Sequence, residues 1–117
     1  MTTTYVGKIG ENYALKYLED KGMKFISRNF HSSHGEIDLI MEDGNSLVFV
    51  EVKTRKNRRY GEPAEAITKY KKQHIRYTTN IFLLKQGIKN RRIRFDVVEI
   101  MMEEGREIKI RHIKNAF

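Results

Sequence analysis

The sequence predicts an α/β fold, one mixed β-sheet flanked by helices, in the order helix, three strands, helix, two strands (α-β-β-β-α-β-β). Three observations lead there. Apolar residues recur at helical spacing in two stretches, one near the N-terminus and one from residue 68 onward. The segments between and after them are short and rich in β-branched and aromatic residues. Turn signals separate those segments: Ser32-Ser33-His34-Gly35, Asp43-Gly44-Asn45 and Glu104-Gly105. A chain of 117 residues suffices for one core and falls short of two, so residues 1–117 read as a single domain.

Residues 4–21 form the first predicted helix. Glu11, Ala14, Leu15 and Leu18 fall on one face, and Ile9, Tyr13 and Tyr17 widen the stripe. Gly22 ends it, because glycine accepts the left-handed backbone that follows a last turn. Glu11 is the odd member of that face, and Gly7 and Gly10 beside it allow another backbone or a ligand to come close. Met23–Phe30 reads as a strand, Glu36–Glu42 as a second and Ser46–Thr54 as a third, the last two joined by a tight hairpin. Arg55–Glu62 is a basic loop, and the single proline, Pro63, precedes the main helix. That helix is capped by Thr68 and ends at Gln86-Gly87, with Tyr70, His74, Tyr77, Ile81 and Leu84 as its inner stripe. Arg92–Met102 and Glu107–Ile113 complete the sheet.

The chemistry is concentrated in the hairpin. Gly35-Glu36-Ile37-Asp38-Leu39-Ile40 and Phe49-Val50-Glu51-Val52-Lys53-Thr54 place ionisable side chains inside strands, where charge is costly. Side chains alternate along a strand, so Glu36 and Asp38 share one face, and Glu51, Lys53 and Arg55 share one face of the next strand. A two-residue loop at Gly44-Asn45 puts Asp38 directly opposite Glu51, whereas a loop at Asp43-Gly44 makes them diagonal neighbours. Either register keeps both carboxylates on one face, about 5–8 Å apart, whereas a three-residue loop without a bulge would separate them. Such a pair repels itself, and one member tends to hold a proton unless a cation intervenes. Mg²⁺ suits the pair, as a hard ion that takes carboxylate oxygens and keeps several waters. Lys53, two residues on, can hold the attacking water or balance phosphate charge. The alternative is a cross-strand ion pair in which Lys53 only neutralises a carboxylate.

The pattern resembles the PD-(D/E)xK nuclease superfamily, whose fold is restriction-endonuclease-like, and within it the small bacterial YraN-type family, similar to the archaeal Holliday junction resolvases. The resemblance rests on Gly10-Glu11, Arg28-Asn29, Gly35-Glu36-Ile37-Asp38, Phe49-Val50-Glu51-Val52-Lys53-Thr54-Arg55 and Arg94-Phe95-Asp96-Val97-Val98, in that order across nearly the whole chain. It implies Asp38 and Glu51 as metal carboxylates, the Val52 carbonyl as a backbone ligand, Lys53 as catalytic lysine and Glu11 as a further acidic residue reaching the site from the first helix. Ile37 stands where the superfamily's naming proline would be. The implied cofactor is Mg²⁺ or Mn²⁺, and the implied activity is endonucleolytic cleavage of DNA, branched or damaged DNA among the options. A nucleic-acid-binding module of the same fold, or a subunit of a larger complex, is the alternative.

The bulk numbers agree with a polyanionic partner. Net charge is +8 and pI about 9.8, with 39% hydrophobic residues, 32% charged residues and a mean hydropathy of −0.63. Basic surfaces bind nucleic acid by releasing counterions. DNA is favoured over RNA, no membrane partner is expected, and a homodimer is an option through an open sheet edge. Arg55, Lys56, Arg58 and Arg59, directly after the candidate site, are expected to hold phosphates, with Lys69, Lys72 and Gln73 on the main helix as further contacts. Gln73 and Tyr77 also fit a short glutamine-x-x-x-tyrosine pattern found in some related exonucleases. The absence of cysteine excludes disulfides and thiolate metal sites. No apolar stretch approaches the roughly 20 residues of a membrane span, and residues 1–5 lack signal-peptide character, so a cytoplasmic location is expected.

Overall fold

The computed structural model describes residues 3–57, 59 and 67–117. Arg58, Gly61 and Pro63 lie outside the described residues. The elements are α1 (Thr3–Asp20), β1 (Lys24–Ser32), β2 (Gly35–Asp43), β3 (Ser46–Arg55), α2 (Lys69–Gln86), β4 (Arg92–Met101) and β5 (Lys109–Ile113). The predicted order α-β-β-β-α-β-β holds. The strands form one five-stranded sheet in the order β1-β2-β3-β4-β5. All neighbours are antiparallel except β3 and β4, which run parallel and are joined by the crossover through α2.

Each face of the sheet has its own apolar cluster. On one, Ala14 and Leu18 of α1 pack on Leu39, Met41, Val48, Val50, Val98 and Ile100. On the other, Ile75 and Phe82 of α2 pack on Ile40, Leu47, Phe49 and Val97. With both faces covered, β3 and β4 carry the unbroken apolar runs Leu47–Val50 and Val97-Val98 that two-sided burial requires. The α1 helix closes at Gly22 with φ +95°. There the Gly22 N–H bonds the Glu19 carbonyl at 2.9 Å and the Met23 N–H bonds Leu18 at 3.1 Å. The α2 helix is capped by Thr68, whose hydroxyl accepts the Lys71 N–H at 3.1 Å.

Two expectations are corrected. The first concerns α2. Its buried residues are Ile75, Thr78, Thr79 and Phe82, whereas Tyr70, Tyr77 and Leu84 of the expected inner stripe are 70%, 44% and 77% exposed. Threonine supplies the buried face because Thr78 Oγ1 donates back to the His74 carbonyl at 2.9 Å and lies 2.7 Å from Ser32 Oγ, leaving its methyl for the core. The second concerns α1, where Tyr13 is 41% exposed rather than part of the packed stripe.

Close approach at Gly10 sets the position of α1. A Cβ there would lie 1.9 Å from Thr54 Oγ1, so glycine is what lets the helix cross the end of β3. Gly7 has open space around it. The crossing brings Glu11, next along the helix, toward the C-terminal end of β3.

Candidate active site

The β2–β3 ladder pairs Asp43 with Ser46 and runs to Leu39 opposite Val50. The loop is therefore Gly44-Asn45, with Gly44 at φ +58°, and the paired register ends one residue short of Asp38 and Glu51. The ladder stops there for a visible reason. Asp38 Oδ2 takes the Val52 N–H at 2.7 Å, so a side chain replaces the strand-to-strand bond.

The neighbouring edge is arranged to turn Asp38 this way. Arg28 pairs with Leu39 and Phe30 with Ile37, which leaves Asn29 facing Asp38. Asn29 has φ +54°, in the left-handed region that asparagine tolerates better than most residues. On either side of this point the alternation shifts, with Ile37 joining the α2 cluster and Leu39 the α1 cluster. The Asn29 amide donates to Glu11 Oε1 at 3.0 Å and to Glu36 Oε1 at 3.1 Å. Arg28 adds bonds to Glu11 at 3.3 Å and to Asn12 at 3.0 Å. Glu11 thus comes within electrostatic reach of Asp38 while held by β1.

Glu51 is 5% exposed. Its Oε1 lies 2.5 Å from Lys71 Nζ and 3.4 Å from Lys53 Nζ. Two ammonium groups therefore serve one carboxylate, at the end of the sheet where Asp38 also sits. Burial, then the charge of Glu51, pushes the Asp38 carboxyl up from 3.8 to about 7. The Val52 N–H opposes that rise, Glu11 adds to it, and Lys71 opposes it. The lysines move in opposite directions. Burial depresses Lys53, aided by the charge of Lys71, against the pull of Glu51. Burial also depresses Lys71, but its bond to Glu51 outweighs that and leaves it raised.

The predicted site residues are placed as follows. Asp38, Glu51, Val52 and Lys53 come together, with Glu11 behind Asp38. Arg55 turns inward: its side chain is 9% exposed and its Nε lies 3.8 Å from Glu99 Oε2. Lys56 and Arg59 are exposed, and the Arg59 N–H bonds Asn57 Oδ1 at 3.0 Å. Lys69 and Gln73 are exposed on α2, and Lys72 leans over the Phe117 ring, 5.8 Å from its centroid. Lys71 went unforeseen, although it is the lysine that touches Glu51. Its position depends on the rotation of α2, which the misplaced stripe had wrong by about one residue in register. Asn29 was visible only as part of the Arg28-Asn29 pair, with nothing in the sequence marking its left-handed backbone.

The donor set fits a hard divalent ion of the kind that substrate and water complete. The carboxylates of Asp38 and Glu51 lie within electrostatic reach of each other, and their mutual repulsion is what a cation would relieve. Among the described residues no group of three or more His, Cys, Asp or Glu side chains is placed to hold a metal alone. Mg²⁺ commonly needs only one or two carboxylates when a phosphate shares it.

A family model described as "Uncharacterised protein family UPF0102" matches residues 10–100. Similar proteins include a UPF0102 protein of Rhodococcus jostii (strain RHA1), 46% identical over 112 residues that cover 96% of this chain and 95% of the relative. One from Caldicellulosiruptor saccharolyticus is 42% identical over 118 residues, covering both chains fully. One from Symbiobacterium thermophilum is 44% identical over 112 residues, covering 96% and 95%. No helix among the described residues is long and apolar enough to cross a membrane.

Proposed function

The chain belongs to the UPF0102 family, and from that premise we propose that it is a metal-dependent endonuclease acting on nucleic acid, DNA before RNA. One observation carries the reading: Asp38 takes the Val52 N–H at 2.7 Å and feels the charge of Glu51, with Lys53 3.4 Å from Glu51 Oε1. The order of these residues on a mixed sheet accords with the PD-(D/E)xK resemblance. A carboxylate raised by burial and by a neighbouring like charge is a feature that gathers at functional sites, because unrelieved burial and repulsion cost stability.

Hydrolysis of a phosphodiester forms one P–O bond from water and breaks the P–O bond to a sugar oxygen. The water gives up a proton, and the leaving oxygen gains one. Asp38, Glu51 and the Val52 carbonyl would hold Mg²⁺ or Mn²⁺. The ion, when bound, lowers the pKa of water and stabilises charge on the phosphoryl oxygens. Lys53, depressed by burial, orients the nucleophilic water or a phosphate oxygen. Lys71 offsets Glu51 when no ion is present and is free to meet a phosphate when one is. Glu11, fixed by Arg28 and Asn29, keeps the Asp38 side of the site negative.

A second reading has one observation in its favour. The Lys71 ammonium already bonds Glu51 at 2.5 Å, as in a binding module that never loads a cation. The two are separated by incubating duplex, single-stranded and four-way DNA, and RNA, with Mg²⁺ or Mn²⁺. Cleavage by the natural protein, lost by at least a hundredfold in Glu51→Gln and Lys53→Ala while binding persists, supports the enzyme. Binding with no cleavage of any substrate supports the module.

A further inference from the structure

The stripe that α2 fails to bury leaves a group of rings in one place. Tyr70 is 70% exposed and stands against His74, with ring centroids 4.0 Å apart. His74 meets His34 of the β1–β2 turn at 5.8 Å, and His34 meets Tyr77 at 4.7 Å. The His74 Nδ1 also bonds the His34 carbonyl, which fixes the turn to the helix. Gly35 lies against the helix here, where a Cβ would come 3.3 Å from Thr78 Oγ1 and 3.5 Å from the His74 Cβ. Tyr70, His74, His34 and Gly35, with Thr68 and Ile75, wall a cavity of about 370 Å³, within the range of small-ligand sites.

The cavity adjoins the carboxylates. Lys71 is in its wall and reaches Glu51 with its ammonium. Glu36, the anionic side chain in the wall, is engaged by the Asn29 amide at 3.1 Å. A ligand entering here thus meets ring faces and a cation, and beyond the cation the site proposed for the scissile phosphate.

We infer that this cavity receives an unpaired nucleobase, stacked on Tyr70 and His74, from the strand whose phosphate lies at Lys71 and Lys53. The inference rests on the nuclease reading of the site and narrows its substrate. A base inside a duplex has both faces covered by its neighbours and must be unstacked and unpaired to enter, so a flap, gap, branch point or single strand offers one at least cost. The chain's charge of +8 favours a polyanion over a peptide as the source of that ring.

The test uses the full chain in EDTA with a 12-nucleotide thymidine strand, the matching uridine strand and a blunt duplex, read by anisotropy. A 2-aminopurine placed at each position of the single strand reports stacking by quenching. Tyr70→Ala is expected to weaken single-strand binding about tenfold or more and to abolish the quench. Tyr70→Phe restores both, and blunt-duplex binding is unchanged. The exposed position makes misfolding no explanation, and the phenylalanine variant controls for it. Equal single-strand affinity in the natural protein and Tyr70→Ala overturns the inference. So does an equal loss on the blunt duplex, absence of quenching at every position, or no binding to either single strand. Failure of cleavage in Mg²⁺ with the Tyr70 dependence intact would instead sink the nuclease reading and leave the base pocket standing.

Discussion

Asp38 shows what one residue costs and supplies. Its folded-state pKa of about 7 lies above the ordinary 3.8, so the folded protein binds the proton more tightly than the unfolded chain does. The stabilisation from that proton is complete below pH 3.8 and disappears as pH rises to 7. Above pH 7 the bare carboxylate is a net burden on the fold. Asp38→Asn removes the charge and keeps an oxygen to accept the Val52 N–H. In EDTA its melting temperature should exceed that of the natural protein by several degrees at pH 8 and match it near pH 4. A variant equally or less stable at pH 8 would show that Asp38 is not under strain. The Gly44-Asn45 turn was legible from the sequence and sets the strand register that leads to Asp38 and Glu51, but the shift of alternation around Asp38 was not. Nor was Lys71, since lysine at a helix start is an ordinary surface residue until the helix is docked.

At the scale of the element, α2 is where the sequence misleads. Tyr70, Tyr77 and Leu84 recur every seven residues and imitate a buried seam. The helix instead turns Ile75, Thr78, Thr79 and Phe82 to the sheet, and periodicity that scores threonine as polar cannot find that face. Phe82 packs edge-on to Phe30 and Phe49, at 5.2 and 5.9 Å between ring centroids. Phe82→Ala should cost about 3–5 kcal/mol in urea unfolding, while Leu84→Ala, on the exposed side, should stay within about 0.5 kcal/mol. The reverse ranking would restore the stripe read from sequence. The strands were legible for the opposite reason: β3 and β4 are covered on both faces, so their apolar runs are continuous and need no phase. Their edges were less so. Asn29 breaks the alternation of β1 with a backbone twist that leaves no compositional mark.

Across the whole molecule, the second buried charge network binds the last strands to the sheet. Asp96 is fully buried and takes Arg94 at 2.9 and 3.0 Å, His112 Nε2 at 2.7 Å and the Asn115 N–H at 3.1 Å. Burial alone would raise its pKa, but the bonds from His112 and Arg94 and the Asn115 N–H outweigh it and leave Asp96 below the usual carboxylate value. Here the sign is opposite to that of Asp38. Stability from Asp96 is present above its unfolded value of 3.8 and is lost as pH falls through the lower folded value. Asp96→Asn should therefore destabilise the protein at pH 7 and flatten its loss of stability below pH 4, as followed by circular dichroism. An acid limb as steep as that of the natural protein would place the acid sensitivity elsewhere. In the sequence Asp96 stands out only within the run Arg94-Phe95-Asp96-Val97-Val98; His112 arrives from β5 through long-range register that no local pattern encodes.

The parallel pairing of β3 with β4 carries a consequence for how the molecule comes into being on the ribosome. The two hairpins of β1, β2 and β3 join near neighbours and can close early, whereas β4 must wait for the crossover to be synthesised and docked. Asp38 and Glu51 belong to the early part, and Lys71 to the late one. A nascent chain that has emerged only as far as Arg55 carries both acidic residues without the ammonium of Lys71, so the electrostatic balance of the site waits for α2 to dock.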